Sequence, residues 1–335
     1  MLFIPIFILI LAITFTIILL IKPNSCADGT KNNECSDINP YFCESGKLVE
    51  KASICGCPVS SMPENESCIS EYQTVPEERQ LKYVLNGKEG YIDFVVYRGL
   101  SDYFSKLPRH IDSEENLTLA DFKLRMINNE VQKGFLFPLF LEISKITSNK
   151  EDRVRIAISL VQNIPFGSSN KTLNLGRVAI TYQRYPYEVL YDNQGICSEK
   201  SELLFFLLRE MGYGTASLYY VKENHEVVGI KCPVKQSVDY SGYCFVETTG
   251  PSIIGDDQTD YFGETRNLNS TPIIINISEG IALGNNLREY KDSDALIKIR
   301  DKVNLDGEIN LFDSLRWNSL KKRYGLVSFG YYQFD

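Results

Sequence analysis

Apolar positions change their spacing several times along this chain, and each change predicts a different element. Leu2 to Ile21 (LFIPIFILILAITFTIILLI) runs for 20 residues without a charge and ends at Lys22. At about 1.5 Å per residue, a helix of that length crosses a hydrocarbon core of roughly 30 Å, so a transmembrane anchor is expected over residues 1–22. A cleaved secretory signal is the competing reading, but the run has no basic flank before it and no A-x-A site. It is also longer than the ~15 residues of a usual signal core. Lysine and arginine do not set its orientation, because only Lys22 and Lys31 follow closely.

Further on, LKYVLNGKEGYIDFVVYRG carries Asn86-Gly87 between two β-rich runs and predicts a hairpin. Helical patterns follow at 118–127, 129–146 and 151–164, the last with Val154, Ala157, Ile158 and Val161 on one stripe and Pro165 as the stop. In CSEKSELLFFLLREMGYG, Leu203, Leu204, Leu207, Leu208 and Met211 repeat at helical spacing, with Phe205 and Phe206 on the other side. That helix is expected to be buried on most faces and to end at Gly212. TASLYYVK, HEVVGIKC and YCFVETTGP then read as strands. Towards the end TPIIINIS predicts a strand, EINLFDSLRWNSLKKRYG an amphipathic helix and LVSFGYYQF a last aromatic strand.

Composition narrows the function. The net charge of −8 comes from interspersed acids and bases with no basic stripe, which argues against nucleic acid as a partner. Six of nine cysteines, Cys26, Cys35, Cys43, Cys55, Cys57 and Cys68, fall in a short turn-rich stretch with too little apolar content to make a core. Such a segment needs staples, so three disulfides are expected, in any of 15 pairings, on the outer face of a membrane. Zinc is the alternative, but the stretch has no histidine and Cys55-Gly56-Cys57 is tighter than a usual ligand pair. Sequons at Asn65, Asn116, Asn170, Asn269 and Asn276 agree with an outside location, although Pro272 follows the fourth.

Cys197 stands apart. It opens the buried helix, where unpaired amides and the helix dipole favour a thiolate, and cysteines so placed can drop from about 8.5 to between roughly 3.5 and 7.5 in pKa. An inert buried cysteine is the plain alternative. The chain has only two histidines, so a multi-histidine metal site is not expected and no metal or organic cofactor is required. His110 lies in SKLPRHID, a turn. His225 starts one strand, and Glu247 ends the next on the matching face by alternation. A thiol nucleophile needs a base, and the base needs a third group to fix its tautomer; Cys197, His225 and Glu247 supply these in order.

The segment RYPYEVLYDNQGICSEKSELLFFLLREMGYGTASLYYVKENHEVVGIK, followed by YCFVETTGPSIIGD, resembles the transglutaminase-like cysteine peptidase superfamily in a form common in archaeal membrane proteins. The likeness covers about Tyr72 to Asp256. It implies an α+β fold with a papain-like core, in which a cysteine-bearing helix packs on an antiparallel sheet, and it places the family's catalytic residues on Cys197, His225 and Glu247. The cysteine-rich stretch resembles a small surface module of archaeal type, which names no ligand. The organisation expected is therefore an anchor at 1–22, a cysteine-rich module at 23–70, a transglutaminase-like domain at 71–256 and a C-terminal extension at 257–335.

Two departures bear on activity. The family often reads GGDCED where this chain has QGICSEK, so Ile196 and Ser198 replace acids, which could change substrate or mark lost activity. Cross-linking members carry Trp after the cysteine, whereas the only tryptophan here is Trp317. For the oxyanion, the Cys197 amide is one expected donor, and Gln183 and Tyr182 are side-chain candidates, with Gln162 and Asn193 still open. Arg184, Tyr185 and Glu188 match the family motif as loop supports.

The resulting expectation is a single-pass, outward-facing thiol hydrolase acting on amide bonds of peptides or cell-envelope polymers. A surface binding or structural protein that keeps the scaffold without turnover is the alternative, and a cross-linking acyltransferase a further one. Cys232 and Cys244 face away from the proposed catalytic side. If they opposed each other directly, Glu247 would sit four residues from His225, about 13 Å away at roughly 3.3 Å per residue. A His225–Glu247 pair thus predicts that a Cys232–Cys244 bridge is absent.

Overall fold

The computed structural model describes residues 25–107, 109, 118–170, 172–175, 178–258, 268–306 and 309–326. The expected anchor, His110, Asn116 and, beyond Leu326, the last aromatic strand lie outside them. Among the described residues no helix is long and apolar enough to cross a membrane. The chain divides into two compact units, Met1–Ser70 and Glu71–Asp335.

The first unit is two short hairpins, β1 (Tyr41–Glu44) with β2 (Lys47–Glu50) and β3 (Ser61–Glu64) with β4 (Ser67–Ser70), separated by the one-turn helix α1 (Ala52–Cys55). Its buried apolar set is small, essentially Cys26, Tyr41, Cys43 and Ala52. Disulfides Cys26–Cys43, Cys35–Cys55 and Cys57–Cys68 compensate by shortening the unfolded chain's freedom, so the six cysteines adopt one of the 15 possible pairings.

The second unit is mixed helix and antiparallel sheet, an α+β fold. β5 (Pro76–Leu85) and β6 (Lys88–Tyr97) pair along their whole lengths, joined at Asn86 and Gly87. Both turn residues have positive φ, 55° and 77°, as a two-residue turn between right-twisted strands requires. Helices α2 (Arg98–Ser105), α3 (Leu119–Ile127), α4 (Glu130–Ile146) and α5 (Lys150–Asn163) follow. Thr118, Asn129 and Asn149 cap the last three by accepting from first-turn amides, which explains where each begins. Ile164 turns extended ahead of Pro165 and ends α5.

A short hairpin, β7 (Thr172–Leu175) with β8 (Val178–Thr181), leads to α6 (Pro186–Asp192) and α7 (Cys197–Glu210). Leu203 to Leu208 of α7 are fully buried, as a helix apolar on all faces must be. α7 packs on the central sheet, whose order is β11 (Tyr243–Val246), β10 (His225–Lys231), β9 (Thr215–Tyr220) and β12 (Ile273–Ser278), antiparallel throughout. Leu218, Tyr220, Val227 and Phe245 form an apolar cluster on the sheet, joined by Val238, Tyr243 and Leu268. Two closing helices, α8 (Arg288–Asp306) and α9 (Leu311–Tyr324), attach through Ile253, Leu296, Leu320 and Leu326 and through the bidentate Arg300–Asp256 and Arg155–Glu289 pairs.

One expectation is overturned. Cys232 and Cys244 form a disulfide, with Cα atoms 5.7 Å apart. They are not directly opposed: Cys244 faces Ile230, while Cys232 lies just past the end of β10 and its amide donates to the Gly242 carbonyl at 2.9 Å. The bridge therefore runs diagonally. With Val228 opposite Val246, the same register continued sets Glu247 against Val227, two residues from His225 rather than four. That is about 7 Å along the strand instead of 13 Å, which is why bridge and pair coexist.

Candidate active site

Cys197 occupies the first helical position of α7, after Ile196 in extended conformation, and is the one free cysteine of the nine, partly exposed. The turn before it is clamped. Asn193 takes the left-handed conformation (φ 48°) that ends α6. The Gly195 amide donates to the Pro165 carbonyl, and Gly167 returns the bond to the Gly195 carbonyl. A side chain at Gly195 would meet Lys200 Cγ at 3.0 Å and Val189 at 3.3 Å, so this approach suits glycine. Glu199 in the first turn accepts from the amides of Ile196 (2.9 Å) and Arg184 (2.8 Å) and from the Arg184 guanidinium (3.1 Å).

His225 Nε2 lies 2.8 Å from Glu247 Oε2, and both side chains are buried. The Cys197 thiol lies near enough to the ring to favour its charged form. The other oxygen of Glu247 accepts from the amides of Thr248 (2.9 Å) and Thr249 (2.8 Å) and from the Thr249 hydroxyl (2.8 Å). Glu247 is thus fixed in place before it meets the imidazole. Burial alone would disfavour the imidazolium, but the interactions with Cys197 and Glu247 outweigh it and raise His225 to about 10. Burial likewise works against a charged Glu247, yet His225 and Thr249 hold its carboxyl below the usual range.

The remaining expected residues divide by what they touch. The Tyr182 hydroxyl donates to Glu188 and accepts from Arg109, whose guanidinium lies 4.0 Å from the Tyr182 ring centre, so that hydroxyl is committed to a buried ion pair. Glu188 also accepts from the Tyr185 amide. Gln162 spends its Nε2 on the carbonyls of Glu247 (2.9 Å) and Ser252 (3.2 Å), and Asn193 is a helix end; both are scaffold. Gln183 is half-buried, with its Nε2 3.2 Å from Glu202 Oε1 on α7 and its carbonyl accepting from Arg109 Nε at 2.7 Å. Asn65, Asn170, Asn269 and Asn276 are all exposed.

Several buried charges around the thiol were not anticipated. Lys200, one turn after Cys197, donates to the carbonyls of Ile164 (2.6 Å), Thr249 (3.3 Å) and Gln162 (3.4 Å), and burial pulls its ammonium down to about 7. Lys123 of α3 pairs with Glu226 at 2.5 Å and stands 3.9 Å from Glu202. Glu226 also accepts from Ser217 at 2.7 Å. The sequence did signal the α7 members of this set. Glu199, Lys200 and Glu202 are charges on a helix otherwise read as apolar all round, and such charges must find buried partners. Lys123, 74 residues before the thiol in ADFKLRMI, carried no such signal.

Among the described residues no cluster of His, Cys, Asp and Glu could hold a metal ion. No family model matches the chain, and no curated protein matches it.

Proposed function

We propose that this protein is a thiol hydrolase of the transglutaminase-like, papain-like type that cleaves amide bonds of peptides or cell-envelope polymers on the outer side of a membrane. The observation that carries this reading is the buried His225–Glu247 hydrogen bond of 2.8 Å with the Cys197 thiol near the ring, at the opening of a buried helix. A cysteine-bearing helix packed on an antiparallel sheet supports the papain-like assignment. Four disulfides fit an oxidising exterior, and the apolar run of residues 2–21 supports a membrane anchor.

In the proposed reaction the proton shared between Cys197 and His225 rests on the imidazole, which is raised to about 10, and Sγ adds to the amide carbonyl. The oxyanion sits against the Cys197 amide and the Gln183 side chain. The C–N bond then breaks, and the amine leaves with the proton from His225. Water, deprotonated by His225, attacks the thioester and returns the free thiol. Glu247 holds the ring orientation throughout and balances the imidazolium. Water rather than an amine is the acceptor in this reading, because no tryptophan follows the cysteine.

The test is the pH dependence of iodoacetamide alkylation at Cys197 in the full chain in mild detergent, with His225→Ala as control and the site read by peptide mass. The expected result is labelling well below pH 8 that is lost in the control. Labelling that rises only near the ordinary thiol value of about 8.5, unchanged in the control, would leave a surface binding module as the better reading.

A further inference from the structure

Glu202 breaks the pattern of its surroundings. It lies on α7 between Ser201 and Leu203, fully buried, and its Oε2 has no hydrogen-bond partner. An orphaned carboxylate oxygen in such a place is costly, and burial pushes the group well above the usual carboxylate range. Charge balance does not explain it. Lys123 is already satisfied by Glu226 at 2.5 Å, whereas Glu202 stands 3.9 Å away. Of the other acids near Glu202, Glu226 from β10 has Lys123 from α3 and Glu199 from its own helix has Arg184, so each has a close cation while Glu202 has none.

What Glu202 does touch is Gln183, whose Nε2 lies 3.2 Å from Glu202 Oε1. Gln183 is held at its other end by Arg109, which donates to the Gln183 carbonyl at 2.7 Å, and the next residue, Arg184, is bound by Glu199. A primary amide has two N–H groups on one nitrogen, so a bond to Glu202 fixes the amide plane and leaves the second N–H with a set direction.

We propose that Glu202 is a positioning residue: it holds the Gln183 amide so that its second N–H is presented to the oxyanion formed at Cys197. This rests on the thiol-hydrolase reading above. Glu202 itself touches neither substrate nor thiol, and it acts only when a carbonyl oxygen gains charge.

Two reactions of the same thiol separate this role from a general structural one. With p-nitrophenyl acetate the Sγ–C bond forms, the carbonyl oxygen passes through an oxyanion, the bond to p-nitrophenolate breaks and the thiol proton leaves through His225. With iodoacetamide Sγ displaces iodide at a saturated carbon and no oxyanion forms. Both rates are measured on the full chain in mild detergent at neutral pH. Gln183→Leu should slow acylation about 10²-fold, the usual cost of one oxyanion donor, and Glu202→Leu between about tenfold and 10²-fold. The double variant should be no slower than Gln183→Leu, and Glu202→Gln, whose carbonyl can accept the same bond, should stay near wild type. Alkylation should remain within about twofold of wild type in all four variants.

Equal slowing of both reactions in Glu202→Leu, multiplicative losses in the double variant, or a Glu202→Gln rate as low as Glu202→Leu would each overturn the proposal. Glu202→Ala replaces Glu202→Leu if the latter does not fold. If His225→Ala leaves both reactions of the otherwise wild-type chain unchanged, the thiol-hydrolase reading itself falls and this role falls with it.

Discussion

Residues 25–70 and the helix that begins at Cys197 hold their shapes by different means. The first region has almost no core and is tied by three disulfides within 43 residues of chain, Cys26 to Cys68. The second has one free cysteine and is held by burial: Leu203 to Leu208 are inaccessible, and the turn before the helix is gripped by Glu199, Arg184 and the Pro165 carbonyl. Cross-links suit a segment that only has to persist. A thiol with the reactive role proposed for Cys197 must stay free, and here the turn that carries it is set by hydrogen bonds to buried neighbours. The same element thus serves as fastener in one place and as candidate reagent in the other.

The largest expected effect lies on the reactive side. Cys197→Ala or His225→Ala should lower p-nitrophenyl ester hydrolysis by about 10⁴-fold or more while leaving the far-ultraviolet circular dichroism unchanged. A variant that keeps its rate would break the contrast outright. Next comes the buried pair. Glu247→Ala leaves the imidazolium without its partner and should cost about 3–5 kcal/mol in urea denaturation.

The pH dependence has a definite sign. His225 is raised above its ordinary 6.5 to about 10, so its contribution to stability is complete below pH 6.5 and is lost as pH rises towards 10. The lowered Glu247 contributes above its ordinary 4.5 and is lost as pH falls. The difference in urea midpoint between wild type and Glu247→Ala should therefore be largest between about pH 4.5 and 6.5 and shrink above it.

Reduction probes the fastened side. Opening one of the first unit's bridges should cost that unit about 2–4 kcal/mol, and mild dithiothreitol should raise amide hydrogen exchange at residues 25–70 while residues 197–210 stay protected. Loss of protection in both regions together would erase the distinction. Smallest is Gly87→Ala, which forces a side chain into a turn position at φ 77° and should lower stability by about 1–2 kcal/mol without altering the rate.

Much of the fold could be read from side-chain periodicity. The patterns at 118–127, 129–146 and 151–164 meet helices at Leu119–Ile127, Glu130–Ile146 and Lys150–Asn163, because each has an apolar stripe and a polar cap at its start. α8 left no such trace. REYKDSDALIKIRDKVNLD is mostly charged, and its buried positions mix apolar Tyr290, Leu296 and Ile299 with polar Glu289, Asp292 and Ser293, so partners such as Arg155 for Glu289 mask the apolar stripe. At the site, Cys197, His225 and Glu247 were legible from their positions on a helix start and two strand ends. The register between those strands was not, because it depends on where the Cys232–Cys244 bridge lies relative to the last ladder pair. Lys123 was out of reach for the same reason: a tertiary contact 103 residues away to Glu226 cannot be read from local spacing.

Nine is an odd number. Eight cysteines are consumed in four bridges, so Cys197 has no spare partner within its own chain. Under oxidising conditions its threats come from outside: a small thiol that caps it as a mixed disulfide, or a second molecule that joins it head to head. Preparation therefore calls for two opposed conditions in sequence, oxidation long enough to close four bridges and then a reductant gentle enough to uncap one sulfur. A batch that looks inert but gains iodoacetamide labelling after such a rinse would have been stored capped.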